Sequence, residues 1–266
     1  MACVFGIDIG SAFSKGIVMC DQRILGSFVV PSGGNYRLTA DKVKKGLLSK
    51  VGLLSKDIIY AVATGYGAKS VTFADDKITD ISCHSKGISY LFPSVRTVVD
   101  VGGLFSKAFR IDERGNSLSF LLSGKCAGGC ARILQVIARV LQVKVEDIGA
   151  LSLQSGKRID FNTGCAVFAE TEAISRIAEG VAKEDLLAGI HRALAAQINS
   201  LAERVGIEKD YALVGGGPRD IGLVKAVEGI VGFDIIVPPE PHLTAALGAA
   251  VIARGRTEGL IKVPKV

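Results

Sequence analysis

Several features that define common protein classes are missing from this chain of 266 residues. It has no tryptophan and no Cys-x-x-Cys pair, which argues against a zinc ribbon or a thioredoxin-type motif. No apolar run is long enough to span a bilayer, and the first residues have a strand pattern rather than a basic signal sequence. We therefore expect a cytoplasmic protein without a membrane partner.

Two further absences narrow the kind of ligand. Basic stripes with interleaved aromatic residues are absent, so nucleic acid is not expected although the net charge is +6. A nucleotide or an acidic partner protein explains the sign of the charge as well. A Walker A motif is also absent, because Gly124-Lys125 is followed by cysteine and lacks the required upstream glycine.

Two segments of the chain repeat one pattern in register. One reads Ile-Asp-Ile-Gly-Ser-Ala-Phe-Ser-Lys from Ile7 to Lys15, and the other reads Val-Asp-Val-Gly-Gly-Leu-Phe-Ser-Lys from Val99 to Lys107. Each begins in an apolar strand that ends with a carboxylate, and glycine then permits a tight turn. Two more strand patterns follow in both copies, so each half should open as a three-stranded meander.

The repeat predicts a duplicated fold that holds a phosphate group between its halves. Turn amides and hydroxyls can bind phosphate oxygens, and a carboxylate can hold Mg²⁺ directly or through water. The competing interpretation of each segment is an ordinary hairpin with a glycine at its turn. Another glycine turn, Gly215–Gly217, follows a predicted strand and precedes a predicted helix, and it would line the adenosine. Taken alone, such a turn is more often a plain loop at a helix start.

The expected ligands are therefore ATP and Mg²⁺, with Asp8 and Asp100 as the catalytic residues. The remaining contacts expected for the nucleotide are Gly10, Ser11, Ser14, Lys15, Gly102, Gly103, Ser106, Lys107, Gly215, Gly216 and Gly217.

Strand, turn and helix patterns alternate along the chain, as is typical of the α/β class. We expect a first half at residues 1–94 and a second half at 95–241, with a closing helix at 242–256 that packs on the first half. Other helices are predicted at 41–51, 132–141, 170–179, 184–204 and 220–231. Further strands are predicted at 58–63, 210–214 and 235–237.

Six cysteines are present, and they fall into different contexts. Disulfides are not expected in a large cytosolic chain, and Cys3, Cys20 and Cys83 lie in apolar segments typical of a core. Cys126 and Cys165 instead lie in glycine-containing loops at predicted helix N-termini, which favour negative charge and lower a thiol pKa. Two such thiolates suit an anionic ligand or a soft metal, and the alternative is a pair of reactive or merely polar loop residues.

The chain resembles the activator ATPases of 2-hydroxyacyl-CoA dehydratases and the ATPase subunits of benzoyl-CoA reductases. The resemblance rests on both Asp-Gly turns, on Lys125-Cys-Ala-Gly128, on Thr163-Gly-Cys-Ala-Val-Phe-Ala-Glu170 and on Gly215-Gly-Gly217. It implies an actin-like ATPase fold, shared with Hsp70 and sugar kinases, in which two duplicated ribonuclease-H-like halves enclose a nucleotide cleft.

The resemblance also implies an activity. This family couples ATP hydrolysis to one-electron transfer of very low potential into an acyl-CoA dehydratase or reductase, and a ferredoxin or flavodoxin usually supplies the electron. A [4Fe-4S] cubane needs four thiolates, which a two-fold dimer provides from two per chain. The implied cluster ligands are Cys126 and Cys165 of both subunits in a homodimer, or in a heterodimer with a sister subunit.

Two departures from the family pattern bear on this expectation. Members commonly carry Gly-Gly-Gln-Asp in the second turn, where this chain has Gly-Gly followed by Leu104 and Phe105, so hydrolysis should be weak. The first cysteine loop usually continues Ala-Gly-Thr-Gly, and here it contains Cys130. That thiol is open to three interpretations: a spare ligand, a thiol behind the ligands, or a core residue.

Two other functions stay open for the sequence. A small-molecule kinase of the same fold would need a catalytic aspartate in a substrate pocket, and Asp160 does not lie in an Asp-x-x-Gly context. A nucleotide-binding regulatory subunit that does not hydrolyse ATP is favoured by Leu104-Phe105.

Overall fold

The computed structural model describes residues 2–21, 23–124, 129–161 and 166–257, without the side chains of residues 166 and 167. These residues fall in two compact units. The first lies within Met1–Ser94, Asp112–Ser117 and Leu243–Val266, and the second within Val95–Ile111 and Leu118–His242. Within the described ranges, none of the helices is long and apolar enough to cross a membrane.

The strands and helices alternate along the chain. The strands are β1 Cys3–Ile9, β2 Phe13–Cys20, β3 Arg23–Pro31, β4 Ile58–Thr64, β5 Asp76–Lys77, β6 Thr97–Val101, β7 Ser106–Ile111, β8 Ser117–Leu122 and β9 Tyr211–Val214. The helices are α1 Tyr36–Val51, α2 Asp80–Leu91, α3 Arg132–Val140, α4 Ile148–Ser152, α5 Ala166–Ala178, α6 Lys183–Val205, α7 Ile221–Val231 and α8 Thr244–Thr257.

The two units repeat one sheet topology. The first sheet has the order β3-β2-β1-β4-β5, and the second has the order β8-β7-β6-β9. In both, the leading strand pairs antiparallel with the next strand and parallel with a strand from later in the unit. In the second sheet, a parallel bridge joins Ala212 of β9 to Ile236, at the position that corresponds to β5 beside β4 in the first sheet. The expected meanders are confirmed, whereas the expected strand at 235–237 is reduced to this bridge.

The first unit packs helices on both faces of its sheet, because successive side chains of a strand point to opposite faces. Phe5 and Ile7 of β1 lie in the cluster that contains apolar side chains of α1. Val4 lies in the cluster formed by α8. Gly6 is on the α8 side, where a Cβ would overlap the helix backbone, so this glycine lets α8 lie directly on β1.

The second unit is organised around the long helix α6, which contacts α3, α4, α5 and α7. Its core includes Ile137, Ile190 and Tyr211, all fully buried. Helix α7 starts at a capping aspartate: Asp220 Oδ1 accepts hydrogen bonds from two first-turn amides, and Asp220 Oδ2 lies 2.8 Å from Nε2 of His191 on α6. This cap fixes the start of the helix that follows the Gly215–Gly217 turn.

One expectation about the cysteines is wrong. Cys3 and Cys20 form a disulfide, with Cα atoms 4.1 Å apart. The reason is the register of the first hairpin, in which these two residues are direct partners across β1 and β2. Amino-acid composition and the expected cytoplasmic location do not predict which cysteines the strand register brings together.

Candidate nucleotide site

The turn at residues 9–13, which is expected to bind phosphate and is called here the first phosphate turn, joins β1 to β2. Strand pairing places Asp8 directly across from Lys15, and Nζ of Lys15 lies 2.8 Å from Oδ2 of Asp8. Both side chains are mostly buried, so each charge depends on the other for compensation. Gly10 lies where a Cβ would come within 2.5 Å of the Phe13 carbonyl oxygen, which explains why the turn contains glycine.

The second phosphate turn, residues 101–105, has the same construction between β6 and β7. Asp100 is the cross-strand partner of Lys107, and Nζ of Lys107 lies 3.1 Å from Oδ2 of Asp100. The amide of Gly102 closes the turn by donating to the carbonyl of Phe105 at 3.1 Å. The structure thus reproduces the sequence repeat as two carboxylate–lysine pairs in equivalent positions.

A glycine turn stands over each carboxylate. Gly65 follows β4 with φ +87°, and Gly215 follows β9 with φ +88°. A Cβ on Gly65 would overlap Oδ1 of Asp8, and a Cβ on Gly215 would overlap Oδ1 of Asp100. Each carboxylate therefore has one oxygen on its lysine and the other against a glycine that has no room for a side chain.

Sequence reasoning misses the equivalence of these two glycine turns. It assigns Gly215–Gly217 to the adenosine, but it gives no role to the counterpart Gly65-Tyr66-Gly67. Gly67 and Gly217 also correspond, because a Cβ on either would collide with the residue that follows the aspartate, Ile9 or Val101. A signal is available: in both halves a β-strand pattern is followed by Gly-x-Gly.

The two serines of the repeat lie on the other face of their strands. Ser14 is fully buried, and its hydroxyl lies 2.8 Å from that of Ser32, which in turn donates to the Gly10 carbonyl at 2.6 Å. Ser106 is also buried, and its Oγ has no hydrogen-bond partner in the described part of the chain. Because each serine precedes its lysine by one residue, strand alternation turns the two side chains apart. The expected nucleotide contacts Ser14 and Ser106 thus lie on the opposite face of their strands from Lys15 and Lys107.

The remaining expected contacts lie in the turns themselves. Ser11 and Gly216 are exposed, whereas Gly102 and Gly103 are partly exposed. Leu104, which follows them, has an exposed side chain despite its size. The second phosphate turn thus presents an apolar group where a polar one would contact water.

The expected cluster ligands Cys126 and Cys165 lie outside the described residues. Among the residues that are described, no group of three or more His, Cys, Asp or Glu side chains could hold a metal ion. Burial raises the pKa of the Cys83 thiol to about 12, so this cysteine stays protonated at neutral pH and is a poor metal ligand. Cys130 is buried, and its Sγ lies 3.6 Å from the Gly103 carbonyl oxygen, to which the thiol donates.

Comparison with known protein families decides the classification. The model of the BadF/BadG/BcrA/BcrD ATPase family matches residues 5–253. The chain belongs to this family. The resemblance inferred from the sequence motifs is thereby confirmed.

Similar proteins of known name include dehydratase activators. The 2-hydroxyisocaproyl-CoA dehydratase activator of Clostridioides difficile is 38% identical over 248 residues, which is 93% of each chain. The activator of lactoyl-CoA dehydratase of Anaerotignum propionicum is 39% identical over 93% of this chain and 96% of its own. A benzoyl-CoA reductase subunit of Thauera aromatica is 31% identical over 99% of this chain and 97% of its own.

Solved structures confirm the expected actin-like ATPase fold. Component A of the Acidaminococcus fermentans (R)-2-hydroxyglutaryl-CoA dehydratase superposes with a TM-score of 0.94 at 36% identity, over 97% of this chain and all of that one. The Clostridium difficile activator with bound ADPNP gives 0.93 at 36% identity, over 99% of this chain and all of that one. A glucokinase of the ROK family from Streptomyces griseus, 13% identical with a TM-score of 0.58, shares the fold alone.

Proposed function

We propose that this protein is a cytoplasmic activator ATPase that binds Mg-ATP and uses it to drive a low-potential electron into an acyl-CoA dehydratase or reductase. The observation that carries the nucleotide part is the duplicated arrangement of aspartate, lysine and glycine turn. Two buried Asp–Lys pairs have the same register, and in each pair a glycine lies against the corresponding carboxylate oxygen, which supports a phosphate-binding role for both turns. A merely structural hairpin gives no reason for either lysine to be buried.

Each group in these turns has a distinct role in the proposal. Lys15 and Lys107 supply positive charge to the phosphates, and the amides of the turns, with the hydroxyl of Ser11, bind the phosphate oxygens. Asp8 and Asp100 hold Mg²⁺ through water or directly, and each compensates the charge of the lysine paired with it. Ser14 supports its turn from behind through Ser32, whereas the backbone of Gly215–Gly217 lines the adenosine.

The electron-transfer part of the proposal rests on Cys126 and Cys165. Helix α5 begins directly after Cys165, and α3 begins six residues after Cys126. These two helices are in contact, and Ile133, Leu134 and two alanines of α5 belong to the same core cluster, so both cysteine-bearing segments lead into one helix pair. Thiolate donors suit iron–sulfur chemistry, and a [4Fe-4S] cluster bound by both cysteines of each subunit would supply one-electron redox chemistry.

The partners follow from this proposal. Two chains are required because each offers two ligands, so the protein acts as a homodimer or as a heterodimer with a sister subunit. A ferredoxin or flavodoxin delivers the electron, and an acyl-CoA dehydratase or reductase receives it. The named relatives are activators or subunits of enzymes of these two kinds.

A second candidate function is a nucleotide-binding regulatory subunit that hydrolyses ATP slowly or not at all. The observation that favours it is the exposed Leu104 in the second phosphate turn. An apolar side chain neither donates a hydrogen bond to an attacking water nor accepts one from it, so Leu104 cannot orient this water.

The nucleotide assignment is tested by calorimetry with Mg-ADPNP. Asp8→Asn and Asp100→Asn should each weaken binding by about 10- to 100-fold, the factor expected when one charge-assisted hydrogen bond is lost. Asp160→Asn is the matched control, because this exposed carboxylate is paired with Arg158 on the surface. The control variant should bind Mg-ADPNP with the affinity of the natural protein. Unchanged affinity in both turn variants, with their folding verified by thermal unfolding, would reject the assignment.

A further inference from the structure

Two carbonyl groups of the second phosphate turn are held by the residues that lead into α3. The Gly102 carbonyl accepts from the amide of Ala131 at 3.0 Å. The Gly103 carbonyl accepts from the thiol of Cys130, with 3.6 Å between sulfur and oxygen. Two consecutive peptide groups of the turn are therefore tied to two consecutive residues of another segment.

These bonds set the direction of the turn amides. In a trans peptide, the carbonyl of one residue and the N–H of the next point in opposite directions in one plane. Holding the Gly102 carbonyl therefore orients the N–H of Gly103, and holding the Gly103 carbonyl orients the N–H of Leu104. Both amides belong to the turn that we propose for phosphate binding, so a phosphate on one side and Cys130 on the other act on the same peptide planes.

The contact continues into the helices that follow the two proposed cluster ligands. The carbonyls of Cys130 and Ala131 accept from the amides of Ile133 and Leu134, which form the first turn of α3. Helix α3 packs against α5, which begins directly after Cys165. Cys130 itself is only 1% exposed, so its thiol is held in place by the packing around it.

The turn carbonyl of the first unit is held by a different kind of segment from that of the second unit. The equivalent carbonyl in the first phosphate turn, that of Gly10, accepts from the hydroxyl of Ser32 at 2.6 Å. Ser32 directly follows β3, so its support comes from the sheet that contains the turn. In the second unit the support comes instead from the segment that leads to α3.

We propose that Cys130 is a positioning residue that couples the nucleotide state of the second phosphate turn to the cysteine loop and to α3. The inference rests on the proposed function for its ligand, since the turn must bind phosphate for the coupling to matter. Loss or change of the phosphate frees the amides of Gly103 and Leu104, and their peptide planes then release or pull the segment that begins at Cys130. The thiol acts as a hydrogen-bond donor in this role and is not a cluster ligand.

The test uses hydrogen exchange of the metal-free full chain, with and without saturating Mg-ADPNP. The observed region is residues 129–134, which contains the Ala131 amide that bonds the turn. Nucleotide should slow exchange there in the natural protein. Cys130→Ala and Cys130→Val remove the donor and should each lower this nucleotide-dependent protection by about fivefold, the factor that one neutral hydrogen bond contributes to an equilibrium.

Two further variants separate donation from packing. Cys130→Ser keeps a donor at the same position and should restore the protection. Ser32→Ala removes the equivalent support in the first unit, so it should weaken nucleotide affinity but leave the protection of residues 129–134 intact once nucleotide is saturating.

The outcomes separate this inference from the proposed function. If calorimetry finds no nucleotide binding by the natural chain, both fail together. Binding without protection of residues 129–134, protection in the Ala and Val variants as strong as in the natural protein, or failure of the Ser variant to restore it, would overturn the coupling alone. Loss of reconstituted iron in Cys130→Ser would also overturn it, because the cysteine would then be a ligand.

Discussion

At the residue scale, two glycines leave space for the carboxylates of Asp8 and Asp100, because glycine has no side chain. Gly65 and Gly215 both have positive φ and both lie against an aspartate oxygen. Gly65→Ala and Gly215→Ala should each displace the neighbouring carboxylate, lower thermal stability and abolish measurable Mg-ADPNP binding in calorimetry. The effect should be similar in the two variants, because the two environments are equivalent.

Gly232→Ala is the control for this pair. Gly232 has φ +78°, but a Cβ there would meet no atom within 4 Å. The Gly232→Ala variant therefore has the backbone strain of a positive φ but no steric overlap. It should lose only about 1–2 kcal/mol of stability and no nucleotide affinity. If Gly232→Ala impairs binding as much as Gly65→Ala, the overlap with Asp8 is not the reason for the glycine.

Leu104 and Phe105 should limit ATP hydrolysis. A positioned group that orients or deprotonates water typically contributes about 10²- to 10⁴-fold to a rate. The double variant Leu104→Gln, Phe105→Asp should therefore raise steady-state ATP turnover at least tenfold, while ATP affinity changes little. Rapid hydrolysis by the natural chain, unimproved by the double change, would mean that another residue positions the water.

The sequence singles out both aspartates and both lysines because they repeat in register, and it names Ser14 and Ser106 as nucleotide contacts without separating their face of the strand from that of the lysines. Alternation of side chains along β2 and β7 places each serine behind its turn, and this is already implied by the strand prediction. The Cys130 contact could not be predicted, because it joins residues 27 positions apart through a turn carbonyl.

At the element scale, α2 and α8 pack with their backbones in close contact. A Cβ on Gly87 would overlap the Thr244 carbonyl, and a Cβ on Gly248 would overlap the Cys83 carbonyl. Gly248→Ala should therefore lower the free energy of unfolding by at least about 1–3 kcal/mol, as overpacked cores do, measured by urea denaturation.

Gly229→Ala is the control for Gly248→Ala, and it should raise the free energy of unfolding instead of lowering it. Gly229 lies within α7 and is exposed, and a Cβ there would have no other atom within 4 Å. Alanine has the higher helix propensity, so this variant should gain about 0.5–1 kcal/mol. Stabilisation by both substitutions would show that the α2–α8 contact is looser than described.

The close packing of α2 also explains why the sequence does not predict this helix. Half of its segment, Asp80–Leu91, consists of three Ser with one Cys, one His and one Gly, which are modest or poor helix formers. The small residues are required by the contact with α8, whereas helix propensity alone disfavours them. The helices α3, α6 and α7 are predicted to within a few residues, because their apolar periodicity is strong.

At the scale of the whole molecule, the repeat predicts two halves of the same construction, whereas the actin-like fold is implied by the family resemblance. Each copy contains the strand, carboxylate and glycine that begin a meander, and the two sheets have the same order of strands. What the sequence lacks is the pairing between distant strands. β1 pairs with β4 and β6 pairs with β9, and these pairings bring Gly65 and Gly215 over the carboxylates.

The proposed electron transfer depends on a cluster shared by two chains, and iron analysis of anaerobically reconstituted protein tests for this cluster. About four irons per two chains are expected, lost in Cys126→Ser and in Cys165→Ser but kept in Cys130→Ser. Each ligand variant should also loosen the dimer, as measured by sedimentation. A metal-free dimer after reconstitution, or full iron content in both ligand variants, would contradict the proposed electron transfer and favour the nucleotide-binding regulatory subunit.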